Sequence, residues 1–106
     1  MKLTPQDILI AARAKIADKT NWCQENSAVN SHRIPVHPTN SNACAWCALG
    51  ALEAASPPHS YGSNLLYEAA YATHGLRSVV EVNDALGHAA VLQMYDAAIK
   101  LAGETP

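Results

Sequence analysis

Residues 43–52 read ACAWCALGAL, a run of small apolar residues that holds two cysteines and one tryptophan. Such a run favours a helix, which we expect to extend from about Ala43 to Ala55. Ser41 or Asn42 can cap its first turn, and the following Ser-Pro-Pro at 56–58 ends it. The fold therefore depends on what packs against this one short helix.

A close helix crossing is the first interpretation of this stretch. Gly50 costs about 1 kcal/mol relative to alanine inside a helix, so a packing or functional reason for it is expected. We predict that the first or the last helix of the chain approaches the surface formed by four small residues: Cys47, Gly50, Ala51 and Ala54. Trp22 and Cys23 would then fold back over this surface.

Four further segments outside this run carry local helix signals. A first helix begins at Pro5, with Thr4 as its cap and Asp7 in its first turn, and continues to about Lys19. A helix over about 63–74 ends at Gly75, and a last helix covers about 88–101. The segment 78–88 is ambiguous, but Ser78 and Glu81 form a capping box, which predicts a short helix.

The composition supports an all-α domain. Twenty of the 106 residues are alanine and none is phenylalanine, which favours helices packed through small side chains over a β-sandwich. A chain of this length forms one domain with its own core. We predict a single compact bundle of four to five short helices over residues 1–106, with a long loop after the first helix.

That loop, residues 20–42, is rich in Asn, Ser and Pro and has no periodicity. Pro35 and Pro38 bias the residues before them toward extended conformations. Loops of this length in small domains are uncommon and often functional.

The charge balance excludes several functions. Seven basic and nine acidic side chains give a formal net charge of −2, which offers no general attraction for nucleic acid. No stretch is long and apolar enough for a membrane span, and the N-terminus has no secretory pattern. We expect a cytoplasmic protein that binds neither nucleic acid nor membrane, with its three cysteines outside any closed disulfide framework.

The cysteines allow two chemical alternatives. Cys44 and Cys47 form a C-x-x-C pair, a spacing that can bind Zn²⁺. The residues that could complete such a set are Cys23, His32, His37 and His59. A cysteine-dependent hydrolase is the other alternative, because Gln24, a cysteine near a helix start, a later histidine and Asn83 or Asp84 supply its ingredients.

Burial weighs against both alternatives. On a helix Cys44 and Cys47 share one face, and free cysteine is among the most buried residue types. Only one C-x-x-C pair is present, and the sequence around it departs from the papain pattern. We therefore expect no resident metal and no cofactor.

The chain also resembles a small domain family of unknown function found in actinobacteria, other bacteria and phages. The resemblance rests on Trp22-Cys23-Gln24, the block WCALGAL at 46–52, Asn83-Asp84 and the closing helix VLQMYDAAI, in that order. It implies a compact helical domain. The positions it carries over are Trp22, Cys23, Gln24, Cys47, Leu49, Gly50, Leu52, Asn83 and Asp84.

These observations favour a non-enzymatic binding or accessory module that acts through a protein partner or through homodimerisation. An association with phages or mobile elements is implied by the resemblance alone. The small cysteine-dependent hydrolase and the zinc-stabilised domain, using Cys23, Cys44 and Cys47, stay open as alternatives.

Six residues are the candidates for a functional or ligand contact: Trp22, Cys23, Gln24, Cys47, Asn83 and Asp84. For Asn83 and Asp84, capping of the next helix is the favoured interpretation over a ligand contact.

Overall fold

The computed structural model describes residues 4–56, 63–75 and 78–104 and shows a mostly helical domain with a small sheet. The helices are α1 (Pro5–Ile16), α2 (Ala48–Ala55), α3 (Ser63–His74), α4 (Val79–Glu81) and α5 (His88–Glu104). The strands are β1 (Ala28–Val29) and β2 (Ala45–Trp46). A 3₁₀ turn covers Lys19–Asn21, and a π-helical turn covers Val82–Leu86. The fold is therefore mainly α, with five helices as in the predicted bundle of four to five, but the small sheet was not predicted and the fold is not purely α.

Helix α1 forms where its local signals predict it. The Asp7 N–H donates to the Thr4 hydroxyl at 3.1 Å, and the Thr4 N–H donates to the Asp7 carboxylate at 3.0 Å. This reciprocal capping box satisfies donors that the first turn leaves free. Its buried face consists of Ile8, Leu9, Ala12 and Ile16. The helix ends at Ile16, three residues before the predicted end.

Helix α2 begins five residues later than predicted. The residues before it are extended because their backbone groups pair with the 27–29 segment: Cys44 N–H donates to Val29 O at 2.9 Å, and Cys47 N–H donates to Ser27 O at 3.1 Å. Tertiary pairing of this kind overrides a weak helix propensity. Cys47, and neither Ser41 nor Asn42, is the cap residue of α2.

This shift corrects the placement of the cysteines as well. Cys44 precedes strand β2 and is exposed, whereas Cys47 caps α2 and is half-buried. The two residues therefore do not share a helix face, and Cys44 does not lie in the first turn of a helix.

The connection after α1 is long, as predicted, but it contains a compact β-structure. Strands β1 and β2 pair antiparallel, with Ala28 opposite Trp46 and Val29 opposite Ala45. Trp22 forms a parallel bridge with Trp46 on the other side of β2, and Val29 forms an antiparallel bridge with Pro35. Four short extended segments thus lie side by side, in the order 22–23, 45–46, 28–29 and 35–36.

The helices predicted in the second half of the chain are confirmed. Gly75 follows α3 with a φ of 67°, the left-handed conformation that commonly ends a helix. The Ser78 hydroxyl accepts the Glu81 N–H at 3.3 Å, so the short helix starts at the predicted cap. Helix α5 extends to Glu104, three residues beyond the predicted end.

The core lies between α1, α2, α3 and α5. Leu9, Ile16, Leu66, Met94 and Tyr95 are its largest fully buried side chains, and alanines from every one of these helices fill the space between them. The Tyr95 hydroxyl donates to the carbonyl of Ala48 at 2.6 Å and thereby ties α5 to the start of α2. Within the described ranges, no helix is long and apolar enough to cross a membrane.

The close approach at Gly50 has a different partner from the one predicted. A Cβ at this position would overlap the carbonyl oxygen of Ser27, so Gly50 faces the backbone of the 20–42 connection and not a helix. Helix α2 still packs in the helical core, because Ala48, Ala51 and Leu52 join the buried face of α1 there.

Candidate functional site

The π-helical turn places one polar side chain inside the protein. Asn83 is only 1% exposed, and the Asn83 Oδ1 accepts the Trp22 indole N–H at 2.7 Å and the Ala48 N–H at 2.9 Å. The Asn83 Nδ2 donates to the Cys23 carbonyl at 3.0 Å and to the Asp84 carboxylate at 2.9 Å. All four hydrogen-bonding positions of the carboxamide are therefore occupied.

The Asn83 carboxamide takes the place of one backbone hydrogen bond between two extended segments. A parallel ladder between the segments at 22–23 and 46–48 begins with Cys23 N–H donating to Trp46 O at 3.0 Å. The next bond of such a ladder would run from Ala48 N–H to Cys23 O. The Asn83 side chain lies between these two groups and bonds to both, so it replaces the missing peptide contact where the strands diverge.

Asn83 does cap a helix, as predicted, but it caps a different helix from the predicted one. Asn83 accepts the first free N–H of α2, whereas the prediction placed it at the next helix. Gly87, with a φ of 95°, separates the π-helical turn from α5.

Gln24 and Asp84 hold the next part of the connection against this turn. The Gln24 side-chain amide donates to the carbonyls of Asn83 and Asp84, both at 3.1 Å. The Asp84 carboxylate accepts the Glu25 N–H at 3.0 Å, and Glu25 has a φ of 70°. A residue with a side chain rarely adopts this conformation, and such outliers are often found at functional sites.

These contacts form the wall of a cleft of about 150 Å³. Three segments distant in the sequence contribute to it: the 25–27 turn, the start of α2, and α4 with the π-helical turn. The residues that line it are Glu25, Asn26, Ser27, Cys47, Leu49, Val79, Val80, Asn83 and Asp84. The cleft thus has apolar walls and two carboxylates.

The Cys47 thiol lines this cleft in a protonated state. Burial raises the pKa of the Cys47 thiol, and the negative charge of Asp84 adds to that effect. The N–H groups of Gly50 and Leu49 act in the opposite direction, and the Gly50 N–H donates to the sulfur at 3.2 Å. Since an unperturbed thiol already titrates above neutral pH, little thiolate is present at pH 7.

The pKa of the Cys23 thiol is also raised. Burial first, and the neighbouring Cys47 second, raise the pKa of the Cys23 thiol to about 11. Its S–H donates to the Asn26 carbonyl at 3.4 Å. In the described part of the chain, no imidazole is hydrogen-bonded to either thiol. The His88 Nε2 lies 2.6 Å from the carbonyl of Ile16.

The residues considered as ligands in the zinc alternative do not form a cluster in the described structure. In the described ranges 4–56, 63–75 and 78–104, no group of three or more His, Cys, Asp or Glu side chains could hold a metal ion. His37 lies 3.9 Å from the Glu53 carboxylate. His59 lies outside the described residues.

The structure brings all six predicted candidates together around Asn83. The Trp22 indole and the Cys23 carbonyl bond to the Asn83 side chain, and the Gln24 side chain bonds to the Asn83 carbonyl. Cys47 lines the same cleft as Asp84. Sequence reasoning missed five residues that line the cleft, which are Glu25, Asn26, Ser27, Val79 and Val80. The conformation of Glu25 has no local sequence signal, and Val80 is 49% exposed on a helix that the sequence predicted only from its capping residues Ser78 and Glu81.

The comparisons with known proteins place the chain in one family. Residues 1–101 match the model of the family of unknown function DUF6197, so the chain belongs to this family. No curated protein and no solved structure matches it.

Proposed function

We propose that this chain, whose family has no known function, is a non-enzymatic binding module and that its cleft receives one basic side chain of a protein partner. The observation that carries the proposal is the convergence of the 25–27 turn, Cys47 and the 79–84 segment on one small cleft. These segments are held in place by saturated hydrogen bonds of Asn83, which leaves a rigid and preformed pocket.

The size of the cleft supports a side chain as its occupant. Pockets for drug-sized molecules have volumes of about 300–1,000 Å³, and the cleft is smaller. A cavity of about 150 Å³ holds a group the size of benzene, which is comparable to one amino-acid side chain. A macromolecule that inserts a single side chain therefore fits better than a free cofactor.

The charge of the cleft supports a cationic tip. Glu25 and Asp84 supply two carboxylates, and none of the lining residues in the described structure is basic. The negative field of Asp84 is felt inside the site, since it contributes to the raised pKa of both Cys23 and Cys47. Burial is the larger cause of the raised thiol pKa and disfavours any charge, whereas the field of Asp84 disfavours only anions and favours a cation at the rim of the cleft.

The apolar walls support lysine in particular. Leu49, Val79 and Val80 present aliphatic surface between the carboxylates. Lysine buries its methylene stem along apolar surface and keeps its ammonium at a polar edge. A lysine side chain therefore matches both the walls and the rim.

The state of the thiols supports a binding module over a cysteine-dependent hydrolase. A cysteine nucleophile needs an appreciable fraction of thiolate or an adjacent base. The pKa of both Cys23 and Cys47 is raised, and the rings of His37, His74 and His88 bond to other groups. One fast-reacting thiol at neutral pH in the purified protein would contradict this part of the proposal.

The proposal is tested by titrating ¹⁵N-labelled protein with N-acetyl-lysine-N′-methylamide while recording amide spectra. We expect saturable shifts at Val80, Asp84 and Glu25, with weak affinity because a single side chain is a small ligand. N-acetyl-norleucine-N′-methylamide has the same stem without the charge, and we expect at least tenfold weaker binding. Equal shifts with both compounds would exclude the charged occupant, and no shift with either would exclude the cleft.

A pair of matched variants separates the cleft from the general charge of the protein. Glu25→Gln removes one carboxylate of the cleft, and Glu68→Gln removes an exposed carboxylate on α3. We expect the first variant to weaken lysine binding severalfold and the second to leave it unchanged. Equal effects of the two would show that the ligand responds to net charge only.

Self-association is distinguished by a sedimentation experiment. A second copy of this chain also carries lysines and could insert one into the cleft. A dimer at micromolar concentration that Glu25→Gln abolishes would identify the partner as a second copy, and a monomer would indicate a different protein. The cytoplasmic location and the association with bacteria, phages or mobile elements stay predictions.

A further inference from the structure

Cys23 and Cys47 each follow a tryptophan of the bridged pair Trp22 and Trp46. Trp22 is bridged in parallel to Trp46, and the Cys23 N–H donates to the Trp46 carbonyl at 3.0 Å. In a parallel pair the next residues along each segment are also opposite each other, so Cys23 and Cys47 form the first pair beyond the bridge, just before the Asn83 side chain separates the two segments. Neighbouring segments in a sheet lie about 4.8 Å apart, within the range of about 4.4–6.8 Å between the Cα atoms of a disulfide.

The two side chains also lie on the same face. Ala45 and Cys47 are two residues apart in an extended segment and therefore point to the same side. Cys23 packs in a small buried cluster with Ala45 and Val29, so its side chain is on that side too.

From this register we infer that Cys23 and Cys47 are a dithiol pair that forms a reversible disulfide by exchange with a low-molecular-weight disulfide such as oxidised glutathione. Cys44 takes no part, because it is exposed and belongs to neither the bridged pair nor the buried cluster.

The exchange proceeds in two steps. Cys47, the more accessible of the two, loses its proton to solvent and attacks one sulfur of the small disulfide, whose S–S bond breaks and releases one thiolate. Cys23 then loses its proton and attacks the sulfur of Cys47, which expels the second small thiolate. The protein loses two protons and two electrons, and the small disulfide is reduced to two thiols.

Oxidation would act directly on the cleft. The Cys47 thiol is part of the cleft wall, and the bond would join it covalently to the segment that leads into the 25–27 turn. The S–H of Cys23 that donates to Asn26, another residue of the cleft, would be lost. The inference does not depend on the identity of the occupant and would stand if lysine did not bind.

The test is to incubate the folded protein with oxidised glutathione and to follow the products by intact mass and peptide mapping. We expect a loss of two hydrogens and a crosslink between Cys23 and Cys47. The rate should rise by about tenfold for each pH unit below the thiol pKa, because the thiolate is the attacking species. No intramolecular crosslink at pH 9, or a crosslink that includes Cys44, would overturn the inference.

Serine variants provide the controls. Cys44→Ser changes the exposed cysteine and should leave the crosslink and its rate unchanged. Cys23→Ser should stop the reaction at the glutathione adduct on Cys47, since no second thiol is present to displace it. The same stable adduct on Cys47 in the unmodified chain would contradict the pairing, and circular dichroism verifies that each variant is folded.

Discussion

The side-chain carboxamide of Asn83 makes the hydrogen bonds to Ala48 N–H and the Cys23 carbonyl that backbone groups would make in a continuous strand ladder. Its carboxamide connects Trp22, Cys23, Ala48 and Asp84, and no donor or acceptor on it is left free. A buried polar group with this degree of satisfaction stabilises a unique arrangement, whereas loss of one member leaves several partners unbonded. The sequence could indicate Asn83 as a polar candidate, but three of its four partners lie 35 to 61 residues away and have no local signal.

Replacing this residue should therefore destabilise the protein strongly. Asn83→Ala leaves the Trp22 indole N–H, the Ala48 N–H and the Cys23 carbonyl without their partner. We expect a loss of about 3 kcal/mol in the free energy of unfolding, since each buried unsatisfied group costs about 1–3 kcal/mol. Urea unfolding followed by tryptophan fluorescence measures the change.

The matched control is Asn64→Ala, which changes an exposed asparagine on α3. Its effect should remain within about 0.5 kcal/mol, as is usual at surface positions. Equal free energies of unfolding for the two variants would show that the hydrogen bonds of Asn83 make no net contribution to stability.

Some secondary-structure elements are set by neighbouring residues in the sequence, and others are set by pairing with distant residues. The start of α1 and the extent of α3 were predictable, because the capping box of Thr4 and Asp7 and the terminal Gly75 act locally. The start of α2 was not, because the pairing of 44–47 with 27–29 overrides the composition of ACAWCALGAL. Periodicity does not show such long-range pairs, and for the same reason the partner of Gly50 was predicted incorrectly.

At Gly50 the packing of two elements leads to a specific prediction. Gly50→Ala gains helix propensity but places a methyl group on the Ser27 carbonyl, which belongs to paired backbone and cannot move freely. We expect a net loss of about 1–3 kcal/mol, as for other overpacked sites, measured by urea unfolding.

Gly103→Ala is the matched control in α5. A Cβ there meets the end of the flexible Gln6 side chain, which can turn away. This variant should be neutral or more stable by up to about 1 kcal/mol. Equal gains in stability for both variants would contradict the close contact between α2 and the 20–42 connection.

For the molecule as a whole, the candidate site depends on the complete fold. The segments at 22–27, 44–50 and 78–86 form few bonds within themselves at the cleft, and Asn83, Gln24 and Asp84 connect them. Tyr95 adds α5 to the same assembly through the Ala48 carbonyl. The cleft therefore should not open or form independently of the core, which is the property expected of a preformed binding site.

Native-state hydrogen exchange of the Trp22 indole N–H and the Ala48 N–H tests this claim most directly. Both groups donate to the buried Asn83 side chain, so both should exchange only through global unfolding, with the same protection as the Leu9 amide in the centre of α1. In Asn83→Ala the protection of both should fall well below that of Leu9. Rapid exchange of either group in the unmodified protein, while Leu9 stays protected, would show that the site is not held by Asn83.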